Sequence, residues 1–266
     1  MLKKLKKDKE EYIPMVGITG VGKDYNVYDM PQTEKLLAML IGFIGGFTVA
    51  HIMFKVFIVS VVFGAVIAVA AVPVYRDIRI KQRRETLLMR FRDVLDSLSN
   101  SLSAGRNTPD AFSDAYNDMV LAYGDDTDMV EELAIIVNGL HNNYLIEDLL
   151  KDMAKRSGLG DVDSFAETFV VCNRLGGNLK KIVSESRDII SDKIEIEMEI
   201  QTSITSQKNE INIMCFIPLA VVMMMGTMGN EGLTANTPLN VIVKLIAIGL
   251  FVFAYRMARD ITDIKV

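Results

Sequence analysis

The chain contains no tryptophan, and only two cysteines, two histidines and six prolines in 266 residues. So few cysteines exclude a disulfide scaffold. Cys172 falls on a helical face and Cys215 inside an apolar run, so neither geometry nor compartment favours a bridge between them. Histidines and cysteines this dispersed cannot assemble a metal cluster, and His141, the one histidine outside the apolar runs, sits in a polar turn. No nucleophile, acid–base pair or cofactor-binding pattern emerges, so the sequence implies no catalytic residue, no metal and no cofactor. With half of its residues apolar, the chain is neither disordered nor collagen-like.

What is most conspicuously missing is charge from four long stretches. Val56 to Tyr75 is 20 residues without an acid, lysine or arginine, enough to cross a hydrocarbon core of roughly 30 Å as a helix. Leu36–Met53 and Ile211–Gly229 are equally uncharged, and Leu239–Tyr255 holds only Lys244. The first two runs are separated by Phe54 and Lys55 alone, which demands a tight hairpin; the last two are joined by Asn230–Pro238, which carries Glu231 and no cation. The sequence therefore predicts four transmembrane helices, in two pairs, around a long polar block.

Cations set the orientation. Lys3, Lys4, Lys6, Lys7, Lys9, Lys23 and Lys35 precede the first run, five cations occupy Arg76–Arg84, and Arg256 and Arg259 follow the last run, whereas the short inter-span loops hold only Lys55. The excess of Lys and Arg on one side places both termini and residues 76–210 in the cytoplasm, giving a multi-pass protein of the cytoplasmic (inner) membrane. The expected organisation is a cytoplasmic N-terminal tail over 1–35, a transmembrane hairpin over 36–75, a cytoplasmic helical domain over 76–210, a second transmembrane pair over 211–255 and a cytoplasmic tail over 256–266. Lys244 and His51 lie near span ends, where they read as interfacial side chains reaching for water. No Asp or Glu falls inside a span, which removes the usual parts of an ion-coupled transporter. Gly42 and Gly46, and Gly64 and Ala68, repeat the four-residue spacing of small residues that lets membrane helices pack closely.

Residues 76–210 carry 17 Lys+Arg against 25 Asp+Glu, a net of −8. That sign opposes phosphate-backbone binding and argues against nucleic acid as a partner. The basic collar at Arg76–Arg84 reads as a juxtamembrane anchor to anionic lipid head groups. Beyond it the period is helical. Leu87, Phe91, Val94, Leu95, Leu98 and Leu102 mark a first helix ending at Ser103–Gly105. Thr108 caps a second that carries Phe112, Ala115, Met119 and Ala122. A third runs from Asp128 to Gly139, and a fourth carries Leu145, Leu149 and Met153. The fifth opens on a capping box at Ser164 and Glu167, with the stripe Phe165, Phe169, Cys172 and Leu175. The sixth, with Ile182, Ile189, Ile190, Ile194 and Met198, continues to Ser206 and on into the third span. No strand signal appears. The fold class is all-α, with six cytoplasmic helices in three hairpins flanked by four spans.

Two patterns suggest chemistry. Gly17-Ile-Thr-Gly-Val-Gly22-Lys23 fits seven positions of a phosphate-binding loop, but the eighth is Asp24 rather than Ser or Thr, no apolar strand precedes it, and the tail is too short for an ATPase core. Asp110, Asp114 and Asp118 stand at four-residue steps, followed by Asp125, Asp126, Asp128, Glu131 and Glu132. They read as a solvated face, as a docking surface for a basic partner, or as a divalent-cation site without the spacing of an EF-hand.

Leu98-Ser-Asn-Ser-Leu-Ser-Ala-Gly105-Arg-Asn-Thr-Pro109-Asp-Ala-Phe112 resembles the first half of the type II secretion system F domain, in which a helix ending in small-Gly precedes a Pro-started helix. Arg174-Leu-Gly176-Gly177-Asn178-Leu179-Lys-Lys-Ile182 resembles the second signature of that domain, and Ile217-Pro218-Leu219 matches the Pro-containing span that follows. The Gly-Gly-Asn-Leu form and the span order are most similar to the TadB/TadC branch of Flp (Tad) pilus assembly proteins. The resemblance covers roughly residues 85–225 and departs from other secretion members in carrying one copy of the domain. It implies a non-enzymatic platform protein of a pilus or type II secretion machine. Its expected partners are a hexameric secretion ATPase, pilin subunits and a second TadB/TadC-like platform protein, in a homo- or hetero-oligomer. Gly105, Pro109, Gly176, Gly177, Asn178 and Leu179 would be structural, and Asp110, Asp114, Asp118, Glu131 and Glu132 would form the ATPase docking face. The competing reading is a membrane scaffold or signalling adaptor that oligomerises through its helical domain.

Overall fold

The computed structural model describes residues 15–227 and eight positions between 242 and 257. Lys244, the loop 230–238, most of the fourth expected span and the C-terminal tail lie outside the described residues. Within them the chain is all-helical, with seven helices: α1 Gln32–Phe54, α2 Phe57–Ser103, α3 Thr108–Tyr123, α4 Asp128–His141, α5 Ile146–Ser157, α6 Gly160–Leu175 and α7 Leu179–Thr227. Two compact units share them: residues 1–29 with 78–194, and residues 30–77 with 195–266. Helices α2 and α7 each contribute residues to both.

In the second unit, α1 and α2 are long and apolar enough to cross a membrane. Ile58, Val62, Val66 and Val69 run along α2 at helical spacing and are all exposed. Lys55 ends α1 in the left-handed conformation, its N–H donating to the His51 carbonyl, and α2 starts two residues later. Small residues set the contact between α1 and α2: a Cβ placed on Gly42 would lie 2.9 Å from the Ala71 Cβ and 3.0 Å from the Ala68 Cα. One on Gly46 would meet the Ile67 side chain at 2.8 Å and the Gly64 Cα at 3.2 Å. The third expected span is helical up to Thr227, within a 49-residue α7 that tolerates Pro218 in its interior.

The helical unit is built on a core contributed by all six of its helical segments. Leu87, Phe91, Leu95 and Leu98 of α2 meet Phe112 of α3, Leu133 of α4, Leu150 of α5, Phe165 of α6 and Val183 of α7. Phe91 and Phe165 pack edge to face at 5.4 Å, and Phe112 and Phe169 do so at 6.3 Å. Helices adjacent in sequence, α3 with α4, α4 with α5 and α5 with α6, pack on one another.

Several boundaries differ from the sequence expectation. Asn107, not Thr108, caps α3, its Oδ1 accepting from the Asp110 N–H at 2.8 Å; Thr108 and Pro109 therefore occupy the first turn, where a proline costs no hydrogen bond. No capping box forms at Ser164. Helix α6 starts a turn earlier, at Gly160, because Val162 belongs to its buried stripe with Phe165, Ala166, Phe169 and Val170. Cys172 is only half-buried and Leu175 is 81% exposed, so the expected stripe drifts off the core after Phe169. On α7 Val183, Ile190 and Ile194 join the core of the helical unit, while Ile189 and Met198 face outward.

Candidate functional site: a strap over a buried arginine

Residues 15–29, expected as part of a tail, are instead a strap laid on the helical unit. Its glycines shape the path. The Gly20 N–H donates to the Gly17 carbonyl at 2.8 Å, making a tight turn. A Cβ on Gly22 would stand 2.8 Å from the Arg156 guanidinium, so the strap crosses that side chain where only a bare backbone fits. The glycine-rich run that imitates a phosphate-binding loop is thus spaced for an arginine beneath it. Lys23 is turned to carboxylates, 2.5 Å from Glu131 and 3.7 Å from Asp128.

Arg156 is 1% exposed. Its two terminal nitrogens donate to the Glu132 carboxylate at 2.5 and 2.6 Å, its Nε donates to Asp152 at 2.8 Å, and it reaches the Lys23 carbonyl of the strap at 3.2 Å. The strap answers with the Tyr25 N–H on the Arg156 carbonyl at 3.0 Å and the Ile18 N–H on Asp152 at 3.1 Å. Tyr25, also 1% exposed, points its hydroxyl at Glu132, donating at 2.9 Å. Asp24 organises the strap itself, accepting from the backbone N–H groups of Met15 and Asn26, each at 2.9 Å.

Every polar atom in this cluster has a partner, which is what makes its burial tolerable. Burial works against the Arg156 charge, but the Glu132 and Asp152 carboxylates more than offset it and hold the guanidinium pKa above its ordinary value. Burial, then the negative Glu132, pushes the Tyr25 hydroxyl well above the usual phenol range. Beside it, Arg83 stacks 4.7 Å from the Tyr25 ring centroid and forks onto Asp128 at 2.5 and 2.6 Å. Burial tends to raise the Asp128 pKa, yet the Arg83 hydrogen bonds outweigh it and hold the carboxyl below its ordinary value. The chemistry on offer is that of a clamp: Arg156 is neutralised by Glu132 and Asp152, and Arg83 by Asp128.

No family model matches the chain, and no curated protein or solved structure matches it.

The residues singled out from sequence are dispersed. Of the acidic run, Asp118 accepts from the Ser97 hydroxyl at 2.5 Å, and Asp114 accepts from Ser101 at 3.1 Å and pairs with Arg106 at 3.4 Å. The four-residue step of the aspartates matches the four-residue step of the serines on α2, so these two carboxylates form part of the α2–α3 seam. Asp110, Asp125 and Asp126 are exposed, as is Asp118 despite its bond to Ser97. Glu131 is tied to Lys23. Glu132 does not belong to a docking face: it is 1% exposed, enclosed by Arg156 and Tyr25. Among the described residues no three His, Cys, Asp or Glu side chains group as metal ligands.

The glycines and asparagines of the two resembling segments perform one local task twice. Gly105 and Gly176 adopt the left-handed conformation that stops α2 and α6, at φ 82° and 69°. An asparagine then starts the next helix: Asn107 for α3, and Asn178, whose Oδ1 accepts from the Lys181 N–H at 3.1 Å, for α7. A Cβ on Gly177 would lie 2.6 Å from the Cys172 sulfur, and Leu179 packs against the core.

Arg156 and Tyr25 were missed from sequence. A signal existed for Arg156: it continues the stripe Ile146, Leu149, Leu150 and Met153 at helical spacing, so it falls on the buried face of α5. Glu132 likewise sits between Met129 and Leu133 and Ile136 on the buried side of α4. A charge of each sign on two apolar faces is the mark of a buried pair. Tyr25 stands in a polar stretch and offers no such sign.

Proposed function

We propose that the chain is a non-enzymatic, four-span platform protein of the cytoplasmic membrane, of the kind that serves a Flp (Tad) pilus or type II secretion machine. In this reading a hexameric secretion ATPase docks on the cytoplasmic helical unit, and movement of that unit helps extract pilin subunits, alongside a second platform protein. The observation that carries the reading is the continuity of α2 and α7, which run unbroken from apolar segments into the helical unit. A continuous helix can transmit force or rotation through its backbone hydrogen bonds; Pro73 removes one of these near the junction in α2, whereas Pro218 of α7 lies within the apolar segment, so the junction of α7 is the uninterrupted one. The twofold glycine–asparagine device at the resembling motifs supports it too, since it fixes where each long helix begins or ends. Asp110, Asp118, Asp125 and Asp126 are the exposed part of the acidic face available to a basic partner.

The test is a pull-down of the detergent-solubilised protein from its native membranes, with mass spectrometry of what is retained. Recovery of a secretion ATPase and a sister four-span protein is expected. A Gly-Pro insertion between Lys208 and Ile211 should keep that recovery and membrane insertion but abolish piliation, because it puts a joint into α7. Recovery of neither partner from membranes that contain both would favour the scaffold or adaptor reading, and normal piliation of the insertion variant would remove the lever.

A further inference from the structure

The strap is held by groups that do not depend on which chain supplies it. The Lys23 carbonyl accepts from Arg156, the Tyr25 N–H donates to the Arg156 carbonyl, and the Ile18 N–H donates to Asp152. Two glycines and a tyrosine make the fit selective. A Cβ added at Gly17 would stand 3.1 Å from the Asp152 carboxylate, and one at Gly22 would stand 2.8 Å from the Arg156 guanidinium. The Tyr25 ring is buried against Arg83, with its hydroxyl on Glu132. The seat formed by Arg83 of α2, Glu132 of α4 and Asp152 and Arg156 of α5 therefore reads an extended peptide of the form Gly-x4-Gly-x2-Tyr. Nothing helical joins that peptide to α1. Asp29, Met30 and Pro31 make the link, with Pro31 extended at φ −60° and ψ 152°, and a residue that precedes a proline is itself biased to an extended path. On the strap, Val16, Ile18 and Val21 are exposed, apolar area that this chain leaves uncovered.

We infer that the strap exchanges between copies: residues 17–25 of one chain occupy the seat of a second copy, which supplies its own strap in return. The contacts that seat the strap within one chain are remade between two. Exchange therefore alters the path of the linker rather than the bonds, and its cost is that of bringing two copies together. Burial of Val16, Ile18 and Val21 by the chain drawn alongside offsets part of that cost. Within one chain the short linker keeps the strap at high effective concentration, so a copy whose own strap is weakened is the best recipient. The inference is independent of the platform reading.

The experiment mixes two versions of the full chain in detergent and looks for a cross-link between copies. Val21 of the strap and Tyr144, between α4 and α5, line one cavity of about 530 Å³, so a bis-maleimide can join cysteines placed at the two positions. A chain carrying both Val21→Cys and Tyr144→Cys sets the reagent length at which the cavity is spanned. The donor then carries Val21→Cys, and the recipient carries Tyr144→Cys with Tyr25→Ala to empty its seat. Chains with Cys172 and Cys215 alone give the background. A donor–recipient product above that background is expected, and it should fall roughly tenfold or more when Tyr25→Ala or Gly22→Val is added to the donor. Where the emptied recipient does not fold, as read by circular dichroism, a recipient with an intact strap takes its place, because exchange at equilibrium also populates mixed pairs. Absence of the donor–recipient product, with the doubly substituted chain cross-linked by the same reagent, overturns the inference. So does a product that Tyr25→Ala and Gly22→Val in the donor leave unchanged.

Discussion

Replacing Arg156 with methionine tests whether the strap is held by a buried ionic core. Methionine has a similar reach and suits the apolar stripe of α5, so packing is largely kept while the charge is removed. What remains is Glu132, 1% exposed, with the Tyr25 hydroxyl in place of a bidentate guanidinium. Orphaning one member of a buried pair costs about 3–5 kcal/mol. For a chain of this size that lowers Tm by roughly 6–20 °C. The loss should concentrate in the strap, since the Lys23 carbonyl contact disappears and Asp152 loses the partner that orients it toward the Ile18 N–H. Thermal unfolding of the purified protein reads the first effect, and hydrogen exchange at the Ile18 and Tyr25 amides reads the second. Pairing Arg156→Met with Glu132→Leu removes both charges and should recover most of the lost stability, because a desolvated ion pair exchanged for apolar groups is near neutral. A single variant as stable as wild type would refute the reasoning, as would a double variant no better than the single one.

Two further outcomes follow from the same geometry. Tyr25 has a folded-state pKa raised above that of a released strap, so its contribution is complete below pH about 10 and falls by about 1.4 kcal/mol per pH unit above it. Limited proteolysis of the strap should accelerate above that pH in wild type, whereas Tyr25→Phe should lose this dependence and be weaker by about 1.5–3 kcal/mol at neutral pH; identical pH profiles would exclude the role of the hydroxyl. In the α1–α2 contact, Gly42→Ala drives a methyl against Ala71 and the Ala68 backbone and should cost about 1–3 kcal/mol, while Gly45→Ala, with nothing within 4 Å, should be neutral or mildly stabilising; equal melting temperatures in detergent would show that the close approach does not matter.

The sequence by itself determined what depends on neighbours along the chain. The first three uncharged runs, as far as they are described, fall in long helices, and the helix ends at Gly105 and Gly176 follow from a residue that enters the left-handed region at little cost. The small-residue spacing of Gly42, Gly46, Gly64 and Ala68 pointed to the positions where α1 and α2 meet. The continuity of α7 through Ser206 was legible because nothing in that stretch breaks a helix. Only the tertiary structure decided the strap and its site. Tyr25 and Glu132 are 107 residues apart and Arg156 and Glu132 are 24 apart, so no local period couples them. The start of α6 was misread for a related reason, since a capping-box pattern inside a helix competes with a buried Val162 and burial wins. A glycine-rich turn beside a lysine has the same local chemistry whether it faces a phosphate or an arginine; the side chain beneath it distinguishes the two, and that side chain arrives from another part of the chain.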